Sequence, residues 1–275
     1  MLSDKEPSSL AVTARVGENP RYAGSSHDDD VARQLGFRGA LVPGAFIYGY
    51  MSRFAVRTWG TTWAEHGRIE ARFRRPVYDG DQLLLTASPL RRSDDGLVAD
   101  VSVRNAAAEE VAVGLVGLPD RFPLPPSLAD NPVRPLVGPP PAVGAGELRE
   151  GTPLTTNNAV LTRDAFETSL RDFGETDPLY REGIVHSGCL MRLAMGDGNG
   201  SFTFPTPVIF VAVQAHHFGL AHPGDRLATS GRISAVYERK GQHYFESREL
   251  LIANGERPIG LFHRTAIYAM RRTAA

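Results

Sequence analysis

Val77-Tyr78-Asp79-Gly80-Asp81-Gln82-Leu83 and Ala221-His222-Pro223-Gly224-Asp225-Arg226-Leu227 read as one turn written twice. Each carries Gly-Asp, one polar residue and a leucine that opens an apolar run. A second shared landmark lies upstream of each. Leu41-Val42-Pro43-Gly44 precedes the apolar run Ala45 to Trp59, and Ile184-Val185-His186-Ser187-Gly188 precedes Cys189-Leu190-Met191-Arg192-Leu193-Ala194. Gly44 to Gly188 is 144 positions, and Gly80 to Gly224 is also 144. One offset shared by two landmarks with similar flanks marks a duplication.

Each copy has the same order of elements. A helix starting at Gly44 or Gly188 comes first, apolar nearly all round and therefore destined for burial. Strands follow at Ile69 to Arg75, Leu83 to Ala87, Val98 to Arg104 and Val111 to Leu118, and again at Val208 to Phe218, Leu227 to Tyr237, His243 to Ile252 and Pro258 to Tyr268. Asp95-Gly96 and Asn254-Gly255 supply hairpin turns. One buried helix followed by an antiparallel meander predicts an α+β architecture: two antiparallel sheets, each wrapped around a central helix. Two such units can join edge to edge, so that neither leaves that edge exposed. Nine of the twenty prolines lie between Pro119 and Pro141, too many for a helix or central strand. The expected division is a first unit over 1–118, a Pro-rich linker over 119–150 and a second unit over 151–275.

The bulk properties narrow the function classes. The 275 residues are 42% hydrophobic and 22% charged, with a net charge of -1 and no basic block, which argues against nucleic acid or an anionic membrane surface as a main partner. Cys189 is the single cysteine, so there is no intrachain disulfide and no cysteine-built zinc site. The N-terminal residues carry acids and no apolar core, unlike a signal peptide, and no segment approaches the ~20 apolar residues of a membrane span. A cytoplasmic protein is the expectation.

Two phrases carry a family resemblance. Ala32-Arg33-Gln34-Leu35-Gly36-Phe37-Arg38-Gly39-Ala40-Leu41-Val42-Pro43-Gly44 resembles the loop and helix entry of the MaoC-like acyl-thioester hydratase/dehydratases. Phe73-Arg74-Arg75-Pro76-Val77-Tyr78-Asp79-Gly80-Asp81 resembles their strand and turn after the central helix. Asp177-Pro178-Leu179-Tyr180, Ile184 to Gly188 and the Pro223-Gly224-Asp225 turn match in the second half. The resemblance implies a tandem, or double, hot-dog fold. It implies an acyl group carried on coenzyme A or an acyl carrier protein as substrate, and no metal or redox cofactor. It also implies a catalytic Asp/His pair in a D-x-N-P-x-H pattern before the helix. The helix N-terminus then holds the thioester oxyanion through a backbone N–H, where the dipole favours negative charge.

The sequence departs from that pattern. One register is Gly17-Glu18-Asn19-Pro20-Arg21-Tyr22, with Gly for Asp and Tyr for His. The other, Tyr22-Ala23-Gly24-Ser25-Ser26-His27, keeps the histidine and nearly the right distance to Gly36, and is preferred. His27, Asp28 and Asp29 then stand where the catalytic residues belong, with Gly44 and Gly188 as thioester-binding helix starts. Asp28 or Asp29 equally suits the N-terminus of a short helix through Val31, Ala32 and Leu35. In the second half, Glu175-Thr176-Asp177-Pro178-Leu179-Tyr180 has Glu for Asp and Tyr for His and lacks the long loop to the helix. Tyr22, Glu175, Tyr180 and His186 are candidate secondary groups. Of His216-His217, adjacent on a strand, one side chain at most faces any site. Three readings stay open: hydratase/dehydratase, hot-dog thioesterase, or an acyl-binding subunit without catalysis. A single chain already supplies a pair of units, so a monomeric pseudo-dimer is functionally sufficient, though a homodimer is the favoured expectation.

Overall fold

The computed structural model describes residues 1–16 and 22–270. The first unit contributes strands β1 (Ser8–Thr13), β2 (Arg68–Phe73), β3 (Gln82–Ala87), β4 (Arg91–Ser93), β5 (Gly96–Asn105) and β6 (Glu110–Pro119), with helices α1 (Asp29–Gln34) and α2 (Gly44–His66). The second contributes β7 (Ala159–Val160), β8 (Ile209–His217), β9 (Arg226–Arg239), β10 (Gln242–Ala253) and β11 (Arg257–Ala269), with α3 (Arg163–Phe173) and α4 (Ser187–Gly200). Among the described residues no helix is long and apolar enough to cross a membrane.

The expectation of two sheets needs correction. All strands form one antiparallel sheet in the order β1-β3-β5-β6-β2-β8-β11-β10-β9-β7, with β4 beside β5. The join is β2 against β8, where Glu70 faces Gln214. Residue 214 is 70 plus the same 144, so each unit presents the same position to the other, as a twofold-related pair must. Arg68 opposite His216 and Arg72 opposite Ala212 obey the same relation. The edge strand of each unit is thereby covered.

The repeated turns are built alike. The Tyr78 N–H donates to Asp81 Oδ2 and the His222 N–H to Asp225 Oδ2. Gly80 N–H reaches Ala14 O, and Gly224 N–H reaches Leu161 O. Both glycines have positive φ, +84° and +98°, which glycine adopts at little cost. The loop before each helix is tied to its turn, Val42 N–H to Val77 O and Val185 N–H to Ala221 O. The turn therefore fixes where each helix begins.

α2 and α4 lie side by side in the core. Phe46, Tyr48, Met51 and Ala55 of α2 are fully buried. β6 passes close beneath, and a Cβ on Gly114 would lie 2.8 Å from Met51 Cε and closer still to Glu70 O. A buried polar chain ties the two helices together. Tyr48 Oη lies 3.0 Å from Ser187 Oγ, which lies 3.0 Å from His217 Nε2. His217 Nδ1 donates to Trp63 O, so Nε2 accepts from Ser187 and the serine oxygen accepts from Tyr48. Burial pulls His217 down to about 4, against its bond to Trp63, so the ring is neutral. His216 points to the other face and is only partly buried.

The proline-rich stretch lies against the second unit. Thr156 N–H donates to Arg134 O and Leu136 N–H to Thr156 O. Arg248 Nη1 donates to Asn131 Oδ1. Leu148 and Leu154 close a smaller apolar cluster with Ile233, Phe245 and Tyr268.

Candidate active site

In the preferred register, His27 precedes α1. Its Nδ1 lies 2.7 Å from Leu41 O. A carbonyl only accepts, so Nδ1 carries the proton and the neutral ring keeps its lone pair on Nε2. Burial lowers the His27 pKa below the ordinary imidazole value, against the bond to Leu41, which raises it. Tyr22, the last residue of the other register, packs edge-on against the His27 ring with centroids 5.1 Å apart. The rest of that register, Gly17 to Arg21, lies outside the described residues.

The two aspartates serve the backbone. Asp28 is the N-cap of α1 and accepts from Asp30 N at 3.0 Å, Val31 N at 3.3 Å and Gly24 N at 3.4 Å. Those N–H groups pull its pKa below the usual carboxylate value. Asp29 accepts from Ala40 N at 2.7 Å and pairs with Arg33. Asp28 and Asp29, expected beside His27 as acid/base partners, are here hydrogen-bonded within the loop and are not among the residues that line the His27 cavity; capping is the common use of Asp at a helix start.

His27 and Gly44 line one cavity of about 330 Å³. Ile47, Phe73 and Val77 continue its wall in the first unit, and Met195, Asn199, Phe210 and Ile267 complete it from the second. The cavity therefore crosses the β2–β8 join. α2 begins at Gly44 after Pro43, with no side-chain cap. Of its first-turn N–H groups, that of Phe46 donates to Pro43 O at 2.8 Å, and those of Gly44 and Ala45 have no partner among the described residues and remain for a ligand oxygen. A Cβ on Gly44 would stand 2.8 Å from Phe210 Cδ1 and 3.3 Å from Phe73 Cε2. Among the described residues lining the cavity there is no carboxylate.

This architecture has known counterparts. A Chloroflexus aurantiacus protein assigned as a MaoC domain dehydratase superimposes with a TM-score of 0.69 at 16% identity, covering 98% of this chain and 96% of that one. A Mycobacterium tuberculosis protein described as having a double hot-dog fold superimposes with a TM-score of 0.65 at 16% identity, over 96% of both chains. The chain has the double hot-dog fold. A Novosphingobium aromaticivorans protein assigned as a thioesterase is more distant, with a TM-score of 0.52 at 14% identity over 97% of both chains. No family model matches the sequence, and no curated protein matches it.

The double hot dog has a second helix start, and it is closed. His186 is the N-cap of α4, and its Nδ1 accepts the Gly188 N–H at 3.0 Å. The N–H expected to hold a thioester oxygen is therefore already satisfied. Phe173 stacks on the His186 ring with centroids 4.4 Å apart, and a Cβ on Gly188 would lie 2.6 Å from Phe173 Cε1 and 3.1 Å from Ala45 O. Glu175 is buried with its Oε2 3.2 Å from Arg53 Nε and 3.5 Å from His186 Nε2. Burial raises the Glu175 pKa, but His186 and Arg53 outweigh it and bring it to about 2. Burial lowers that of His186. The geometry agrees: an Nδ1 that accepts a hydrogen bond leaves the proton of the neutral ring on Nε2, toward Glu175. Tyr180 packs against the same ring at 5.0 Å, and burial raises its hydroxyl pKa well above the ordinary value. Glu175, Tyr180, His186 and Gly188 thus form a packed polar cluster, apart from the cavity that holds His27. Asn199 and Phe210, which complete that cavity, carried no signal in the sequence motifs.

Proposed function

We propose that the chain is an acyl-thioester hydratase/dehydratase, interconverting a 3-hydroxyacyl thioester with a 2-enoyl thioester and water on coenzyme A or an acyl carrier protein. The observation that carries this reading is that a neutral histidine, with its lone pair on Nε2, shares one largely apolar cavity with an uncapped helix start. The thioester oxygen would sit at Gly44, where first-turn N–H groups and the helix dipole stabilise negative charge. His27 Nε2 would take the α-proton, the electrons moving onto the thioester oxygen. As the enolate collapses, the Cβ–O bond breaks and the imidazolium returns its proton to the leaving hydroxyl as water. The thioester itself acidifies the α-proton, so the scheme calls on no metal or redox group. The want of a carboxylate at the described cavity lining weighs against a carboxylate-activated hydrolysis. Incubation with crotonyl-CoA and with a 3-hydroxyacyl-CoA, followed by mass spectrometry, tests the reading. Gain or loss of water supports it, whereas release of free thiol would make the protein a thioesterase.

Two further results are expected. Dehydration needs neutral His27, whose pKa burial lowers, so kcat/KM should hold its plateau to below pH 6.5 and fall only in more acidic buffer. An acid limb above the ordinary imidazole value would remove His27 from the role of base. Gly44→Ala places a methyl group against Phe210 at the helix start. It should lower kcat/KM by about 10²-fold through misplacing the thioester, with little change in Tm. Steady-state kinetics beside thermal unfolding checks this, and an unaffected kcat/KM would move the oxyanion site elsewhere.

A further inference from the structure

Among the second-unit residues that line the cavity, Asn199 has an orientation preset by a buried cation. Asn199, near the C-terminus of α4, lines the cavity, and its Oδ1 accepts from Arg264 Nη1 at 2.9 Å. A guanidinium has only donors, so the amide cannot be turned round. Its oxygen faces Arg264, and its NH₂ is the group left over. Asn199 Nδ2 has no hydrogen-bond partner among the described residues. Arg264 is itself immobile: its side chain is fully buried, and Nε and Nη2 both bind Glu249 Oε1, at 3.0 and 2.7 Å. Ser247 Oγ donates to the same oxygen. A Cβ on Gly198 would lie 2.5 Å from Glu249 Oε1 and 2.8 Å from Arg264 Nη2, so α4 sits directly on the pair. A buried ion pair that costs desolvation is here used to hold one amide at a cavity wall.

We propose that Asn199 determines specificity, donating from Nδ2 to an oxygen atom borne on the acyl chain several carbons beyond the thioester. The preferred substrates are then oxygenated acyl chains, hydroxylated or oxo-substituted toward the far end, and plain alkyl chains are disfavoured. This rests on the acyl-thioester reading of the cavity. Ile47, Phe73, Phe210, Met195 and Ile267 give the cavity shared by Gly44 and Asn199 an apolar wall that suits hydrocarbon, beside the polar side chains of Ser26, Arg74, Arg75 and Tyr244. A cavity of about 330 Å³ has room for several carbons beside the thioester. An alkyl chain would bury the Asn199 donor without a partner, and that asymmetry is what separates polar from apolar ligands.

Calorimetry on the intact protein tests this with amide analogues of acyl-pantetheine, which neither hydrate nor hydrolyse. Three are compared: an acetyl compound, an alkyl chain of about eight carbons, and the same chain with an oxo group near its end. The wild type should bind the oxo chain about tenfold more tightly than the alkyl chain. Asn199→Asp keeps an acceptor for Arg264 while removing the donor, and should abolish that preference while leaving the acetyl compound unchanged. Equal binding of oxo and alkyl chains by the wild type would overturn the proposal, whatever the variant does. So would a preference that survives Asn199→Asp. If the variant weakens the acetyl compound as much as the others, the amide reads the carrier arm and the acyl assignment falls. If none of the three binds the wild type, the acyl-thioester reading itself fails.

Discussion

His27→Ala is expected to lower turnover by about 10²–10⁴-fold, the usual cost of losing a general acid/base, and to leave the fold intact. The ring is only partly buried, and among the described residues its hydrogen bond is to Leu41 O, so the stability lost is about 1 kcal/mol. The loop keeps its other anchors. Asp28 still caps α1, and Asp29 still holds Ala40. His186→Ala is the informative contrast. It removes the acceptor of the Gly188 N–H and the ring stacked on Phe173, so it should act mainly on stability. Single-turnover kinetics and urea unfolding on both variants separate the two roles. If His186→Ala abolished turnover per folded molecule while His27→Ala left it unchanged, the chemistry would belong to the second unit.

Much of this architecture is written locally. Asn254 and Gly255 both take positive φ, as an Asn-Gly hairpin requires, and they join β10 to β11 where the sequence places them. The strands of the two meanders fall within a few residues of their expected ends, because turn residues such as Asp95-Gly96 and Asn254-Gly255 bound them. β1 gives a weak signal because Ser8, Ser9 and Thr13 make half of it polar and only Val12 on its inward side is fully buried. α3 also carries local signals, outside the two repeated turns and helix entries. Thr162 caps it, Phe166, Ser169 and Phe173 face inward, and Gly174 closes it with φ +56°, the standard start and stop signals. The single continuous sheet depends on Glu70 meeting Gln214, a pairing between edges that neither edge encodes alone. The site divides the same way. His27 and Gly44 line one cavity, and both stand in the quoted motifs. Whether Asp28 turns toward a substrate or toward its own helix is decided by side-chain rotamer, which one residue pattern serves in both cases. Asn199 gives no local signal because its orientation is set by Arg264, 65 residues away.

The unequal fates of the two helix starts lead to the second large effect. Glu175→Ala should destabilise the protein by about 3–5 kcal/mol, the cost of stranding a buried charge, while turnover per folded molecule changes little. Arg53 comes from α2 of the first unit and donates to Gly174 O at 2.7 Å. With Glu175 removed, its charge stays buried between the units, its side chain only 10% exposed. The sign of the pH dependence follows from the carboxylate, whose folded pKa of about 2 lies below the ordinary 4.5. Its contribution is complete above the unfolded value and drains away as pH falls toward the folded one. The gap between wild type and Glu175→Ala should therefore be constant near neutrality and narrow from about pH 4.5 downward, as urea unfolding across pH would show. Arg53→Met in the Glu175→Ala background should recover part of the loss, because apolar groups replace the stranded charge. A Glu175→Ala protein that unfolded like the wild type but had lost turnover would return this carboxylate to the chemistry and make the closed second half an active one.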